Sequence, residues 1–261
     1  MGIHRTAVIE EGAELGDVEV GPFAVIGAGA VLKDGVRVGA HAVIEGPTVI
    51  GAGTEVGSHA VLGGLPQDRK HDRSAPTRLV IGEGNVFREF TSAHRGSSEG
   101  RGETTIGDGN YFMANSHVAH DCVVGSGTMF ANSAAVGGHV SVGDGVVLGG
   151  LAAVHQHCRV GRLAMIGGGA MCAQDVPPFA VAQGDRARLR GTNITGLTRA
   201  GVSAAAISAI KYAVRVLFVD DLPRNLALSK VRERHGDVPE VAELLAFLEA
   251  SDRGVVRGPQ G

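Results

Sequence analysis

Tryptophan is absent from this chain, tyrosine occurs twice, and aromatic residues make up only 4% of it. That scarcity does not make it a disordered polymer, because 44% of the residues are hydrophobic, more than a solvated low-complexity chain carries. The three cysteines are odd in number and widely spaced, which argues against a disulfide framework. Lysine and arginine total 24 against 27 acidic residues and no long basic run occurs, so nothing electrostatic points to nucleic acid. No run of about 18 apolar residues appears, and the opening MGIHRTAVIEEG has no apolar signal region. A soluble, cytoplasmic protein without membrane insertion is the expectation.

Glycine, by contrast, is abundant at 41 residues, and it sits on a period. Aliphatic or small apolar residues recur every sixth position at Val20, Ile26, Leu32, Val38, Ile44, Ile50, Val56 and Leu62. They recur again at Ile81, Phe87 and Ala93, and then without a break from Ile106 to Ile166. Four positions later a small or β-branched residue is usual, as at Ala24, Ala42, Ala60, Ala134 and Ala152. A period of six matches neither an amphipathic helix nor an alternating strand. It matches a solenoid of short strands and tight turns in which both recurrent residues point inward. Cys122, Cys158 and Cys172 fall on inward positions and read as inert core thiols. The pattern resembles the hexapeptide-repeat acyltransferases, whose left-handed parallel β-helix has three strands per coil. On that resemblance residues 18 apart stack, each coil rising about 4.8 Å.

Two stretches break the period: GLPQDRKHDRSAPTR over 64–78 and a shorter one over 98–105. Both leave from the third hexad of a coil. The solenoid is expected over 1–190 and a small α-helical domain over 191–261. Ser203 caps one helical run; 222–234 reads as a second helix; Asp237, Pro239 and Glu240 open a third with a capping box. The tail from Gly254 is expected to be flexible at its end.

Five of the eleven histidines lie between Phe112 and His157: His117, His120, His139, His155 and His157. Stacking at 18 residues puts Asp121, His139 and His157 in one column and His120, Gly138 and Gln156 in the next, with His94 beside His120. The bland reading, turn histidines on a surface, suits one residue better than this many in adjacent columns. A neutral imidazole can accept a proton near pH 7, an adjacent carboxylate would orient it, and a glycine amide can approach an oxyanion. No serine or cysteine sits where a nucleophile would be needed.

The segments PQDRK (66–70), AHRG (93–96), HVAHD (117–121), GGHVSV from Gly137, AVHQHC from Ala153 and AQDVPPFAVAQGD from Ala173 resemble the UDP-N-acetylglucosamine acyltransferase family. The similarity runs along essentially the whole chain. It implies transfer of a (R)-3-hydroxyacyl group from acyl carrier protein to the sugar 3-hydroxyl, the first step of lipid A synthesis. It further implies a homotrimer with active sites between subunits, and no cofactor beyond the carrier's phosphopantetheine thioester. By motif, His120 becomes the general base, Asp121 its supporting carboxylate and Gly138 the oxyanion donor. Gln67, Asp68, Lys70, His94, His117, His139, His155, Gln156 and Arg199 become substrate contacts, and Gly168 the acyl-length ruler, with no metal ligands. The chain departs from the family at Ala200, where a second arginine is usual, and at His157, where an aromatic is. Three other readings stay open: a sister N-acyltransferase, which carries an extra N-terminal domain; a metal-dependent lyase resembling the gamma carbonic anhydrases, with His117 and His120 as ligands; and a non-catalytic solenoid.

Overall fold

The computed structural model describes residues 2–258. Within them the hexads form three sheets that wrap a β-helix, and a helical region follows. Sheet A starts with Glu19–Val20 and has ten strands; sheet B starts with Val8–Ile9 and has nine; sheet C starts with Glu14–Leu15 and has eight. Registers follow the expected stacking, as in His117↔Ala135↔Ala153 and Met129↔Val147↔Met165. Pairing is parallel except for the last two strands of sheet A, Ala180–Gln183 and Arg188–Thr192, which form an antiparallel hairpin.

Each strand exposes one residue and buries the next, so a two-residue strand suffices to hold a wall. Inward aliphatics such as Ile26, Ile44, Val136 and Leu148 are fully buried, and the small partners Ala24, Ala42, Ala134 and Ala152 fill the corners. Phe87, Phe112 and Phe130 stack along the axis with ring centroids 4.6 and 4.9 Å apart. All three cysteines are buried. Burial pushes Cys122 and Cys172 up to about 12, so neither thiol ionises at neutral pH.

Between sheets the chain turns a sharp corner, and at most corners one residue takes positive φ. At the A–B corner these include Phe23, His41, His59, Phe90, Asn115, Ser133 and Leu151; at the B–C corner they include Asp121 (φ 59), His139 (φ 62) and His157 (φ 63). Bulky residues are strained in this conformation. At the A–B corner Phe23, His41, His59 and Phe90 stack face to face with centroids 4.9–5.1 Å apart, which recovers part of that cost.

Both excursions leave sheet B at the B–C corner, on the histidine side. The first spans 65–77. The second spans 95–102, because Glu103–Ile106 pairs with Arg78–Ile81 as a four-residue strand. The break expected at 98–105 thus begins and ends three residues earlier. A β-branched pair, Thr104–Thr105, suits the strand. The excursions tie together: the Ser98 N–H donates to His71 Nδ1 at 3.2 Å, and the Asp72 N–H to Ser98 Oγ at 3.0 Å.

The helices are α1 (Ile194–Arg199), α2 (Ala204–Phe218), α3 (Arg224–His235) and α4 (Pro239–Glu249). Ser203 caps α2, accepting from the Ala206 N–H at 3.1 Å. The α4 cap differs from expectation: Val238 is its N-cap, and no side chain closes the capping box. With Pro239 at the first helical position, one N–H that Asp237 would have accepted is missing. Helix α2 packs on the terminal hairpin, and α4 lies on sheet C through the Arg162–Glu243 ion pair (2.8 Å) and Arg159 over the Phe247 ring (4.3 Å). Residues 254–257 are tied to the solenoid by a bridge between Val255 and Asp175; the final residues of the tail lie outside the described ones. Among the described residues no helix is long and apolar enough to cross a membrane.

Candidate active site

Asp121 is the buried centre of the B–C corner, 2% exposed. Its carboxylate accepts the Ser97 N–H (3.1 Å), the Ser97 hydroxyl (2.6 Å) and the Gly102 N–H (3.1 Å), all from the second excursion. Gly100 passes directly above; a Cβ on it would fall on the Asp121 carboxylate. Burial alone would raise the Asp121 pKa, but the hydrogen bonds from Ser97 and His120 outweigh it and hold the group ionised below its ordinary value.

His120 Nδ1 lies 2.7 Å from Asp121 Oδ2. An ionised carboxylate can only accept, so Nδ1 carries a proton, and in the neutral ring the lone pair is on Nε2. Against that side of the ring lies Gly138, one coil on. A Cβ there would stand 2.7 Å from both His120 Nε2 and Cε1. The Gly138 N–H has no acceptor among the described residues. A basic nitrogen and an unused amide donor therefore share one small space.

The other histidines surround this pair. His139 Nε2 is 3.8 Å from Asp121 Oδ2, its ring stands edge-on to His120 (5.1 Å), and His157 stacks on it at 4.4 Å. Burial lowers the His139 pKa, Asp121 opposes this, and His157 and His120 reinforce it. Asp68, from the first excursion, also lies close enough to act on His139. His117 Nδ1 bonds to Ser92 Oγ at 2.8 Å, and its ring is edge-on to His94 at 4.8 Å. Burial lowers His117 too, and pushes His94 down to about 4. Both are neutral at physiological pH. His155 and Gln156 are exposed on the last of these coils, and Gln67 and Lys70 are exposed on the first excursion.

Two expected site residues stand elsewhere. Gly168 is at the A–B corner, where it and Gly150 expose backbone rather than side chains. Arg199 ends α1, which Asn193 anchors at the C–A corner through Leu163 O (2.9 Å) and Phe179 O (2.7 Å). One chain thus carries its candidate site residues on three different edges. Ser92, Ser97, Gly100 and Gly102 escaped the sequence reading. The only signal for the last three was that the second interruption departs just after His94.

His120, Asp121 and His139 offer three donors within 4.8 Å of one another, enough to consider a metal ion. The donor set fits poorly. Asp121 already accepts from Ser97, Gly102 and His120, so a cation would have to displace bonds that hold the second excursion in place. His117, whose Nδ1 bonds to Ser92, is not one of these three donors.

Comparison with known proteins extends over essentially the whole chain. Residues 29–64 and 103–138 match the bacterial transferase hexapeptide model, and residues 175–256 match the second domain of UDP-N-acetylglucosamine O-acyltransferase. The acyl-[acyl-carrier-protein]–UDP-N-acetylglucosamine O-acyltransferase of Trichlorobacter lovleyi is 51% identical over 263 residues, covering 99% of this chain and all of the relative. The chain belongs to that O-acyltransferase family. Its counterpart from Paraburkholderia phytofirmans is 46% identical over 98% of this chain and 99% of its own. Among solved structures, the Francisella novicida UDP-N-acetylglucosamine acyltransferase superposes with a TM-score of 0.95 at 30% identity, covering 99% of this chain and 95% of that one. Another UDP-N-acetylglucosamine acyltransferase crystal structure gives 0.94 at 38% identity over the full length of both. These full-length matches leave no room for the N-acyltransferase or lyase readings of the O-acyltransferase fold.

Proposed function

We propose that the chain transfers a (R)-3-hydroxyacyl group from the thioester of acyl carrier protein to the 3-hydroxyl of UDP-N-acetylglucosamine, opening lipid A synthesis. His120 Nε2 takes the proton of the 3-hydroxyl as its oxygen attacks the thioester carbonyl. The Gly138 N–H receives the charge that develops on the carbonyl oxygen. When the tetrahedral intermediate collapses, the C–S bond breaks and the imidazolium returns its proton to the leaving thiolate. No covalent enzyme intermediate forms. Asp121 fixes the His120 tautomer and stabilises the imidazolium; it stays ionised throughout. The observation that carries this reading is the free His120 Nε2 beside the unused Gly138 amide, with Asp121 locked on the opposite ring nitrogen.

A homotrimer with sites between subunits suits the molecule. The candidate residues lie on three edges of one prism, so the His120 cluster of one copy can meet Gly168 and Arg199 only from another. The outward column of sheet B supports this: Val8, Val25, Val43, Val61, Ser92, His117, Ala135, Ala153 and Met171 include no Lys, Arg, Asp or Glu. The test is product mass from purified protein given UDP-N-acetylglucosamine and a panel of hydroxyacyl carrier proteins. Acylated sugar nucleotide is the expected product. An inert trimer with this sugar that acylates the 3-amino analogue would move the acceptor; inertness with both would refute the reading.

A further inference from the structure

Residues 251–258 cross back over the end of the solenoid as a strap. Asp175, 1% exposed, anchors it. The Asp175 N–H donates to Gly254 O, the Val256 N–H donates to Asp175 O (both 2.9 Å), and Ser251 Oγ donates to Asp175 Oδ2 at 2.7 Å. The other Asp175 oxygen accepts the Arg159 N–H at 2.7 Å. Val256 is buried, and the Leu189 N–H donates to Arg257 O. Backbone and Asp175 hold the strap; no step of this needs a cation at position 253.

Arg253 is nevertheless delivered to the histidine patch. Its Nη2 lies 3.4 Å from His155 Nδ1. The same imidazole nitrogen lies 3.1 Å from the Gln156 carbonyl oxygen. The carbonyl demands a proton on Nδ1, and the guanidinium demands a lone pair there, so one tautomer cannot serve both. The other neighbour of Arg253 is the Cys158 thiol, which burial keeps protonated. Neither neighbour is an anion. A permanent cation with five donors thus stands exposed, on a fixed strap, beside the His155 ring and with most of its fork unused.

We propose that Arg253 is an anion-binding residue of the acyl-transfer site, holding a phosphate-ester oxyanion of an incoming substrate against the His155–Gln156 turn. The inference rests on the acyl-transfer reading. Both substrates in that reading bring the required group: the diphosphate of the sugar nucleotide and the phosphodiester of the carrier's phosphopantetheine arm.

Steady-state kinetics with each substrate varied in turn separate the two sources. Arg253→Ala should raise one KM about ten- to hundredfold, the worth of a charge-assisted hydrogen bond. Its kcat should stay within about twofold, the signature of lost uniform binding. Arg253→Lys should recover most of the loss, since an ammonium still binds phosphate as a point charge. Arg257→Ala, on the same strap, should change neither KM. A rise confined to the sugar nucleotide places its diphosphate at Arg253; a rise confined to the acyl carrier places the pantetheine phosphate there. Unmoved KM values in Arg253→Ala, with wild-type protein turning over, overturn the inference alone. An equal fall of kcat in both Arg253 variants with a lowered Tm overturns it as well, by making the residue structural. No turnover by the wild type overturns the acyl-transfer reading and the inference together.

Discussion

Gly138→Ala is the sharpest perturbation the site offers. The added Cβ would stand 2.7 Å from His120 Nε2 and Cε1, where ordinary contact begins near 3.4 Å. The imidazole would have to withdraw by about 0.7 Å, because carbon cannot overlap it at the closer distance. It is not free to do so, being held to Asp121 at 2.7 Å, and Asp121 is itself held by Ser97 and Gly102. A retreat of that size would stretch or misalign the bond to Asp121, a loss of about 1.5–3 kcal/mol for a charge-assisted pair. Misplacement of a reacting group by about 1 Å also costs about a hundredfold. The expected fall in kcat is therefore on the order of 10²-fold. Stability should fall by no more than the worth of that bond, about 1.5–3 kcal/mol, with no backbone strain added, since Gly138 does not have positive φ. Gly150→Ala is the control for folding: it occupies the same turn position at the A–B corner, where the new Cβ meets only Asn132 O at 3.5 Å. Rate and Tm are measured for both. A Gly138→Ala enzyme with wild-type kcat would refute the close pairing of base and oxyanion donor.

Other consequences follow from the same geometry. Burial holds His94 near 4, and holds His117 and His139 below their ordinary value of 6.5. Below about pH 6.5 the unfolded chain therefore binds protons that the folded chain refuses, so stability is fully present above that pH and falls as pH drops toward 4. Asp121 adds its own loss only below 3.8. Tm should decline across the upper window, and His94→Leu should flatten part of the slope; a Tm indifferent to pH from 7 to about 4.5 would contradict the burial argument. Gly168→Met should fill the space that Gly168 and Gly150 leave and shift acyl preference to shorter chains, read from competition between carriers of different length. An unchanged profile would remove Gly168 from the acyl path.

The repeating part of the molecule was legible because each hexad states its own structure: an inward aliphatic, a small residue four later, a turn. Stacking at 18 residues alone puts Asp121, His139 and His157 in one column and leaves His120 beside Gly138. What was not legible came from segments outside the repeat. Ser97, Gly100 and Gly102 close over Asp121 from an excursion whose path no period dictates. Helix α1 has six residues and too little pattern to announce itself. The Ala180–Thr192 hairpin reverses direction in a run that still looks like hexads. Arg253 lies nearly a hundred positions from His155 and meets it only because Asp175 captures the strap. Separation of the site over three edges is likewise a property of the wound chain, since linear order sets His120, Gly168 and Arg199 within 80 residues.

The most direct test of the account is single-turnover acyl transfer by His120→Ala in an assembly of wild-type size. The half-buried His120 ring is not part of the hydrophobic core; its truncation to a methyl removes one partner of Asp121 and leaves those from Ser97 and Gly102, so folding and oligomeric state should be preserved. General-base catalysis typically contributes about 10²–10⁴-fold, and the rate should fall by that much. A rate within a few-fold of wild type would mean that the proton leaves the sugar by another route and that the B–C corner is not the catalytic centre.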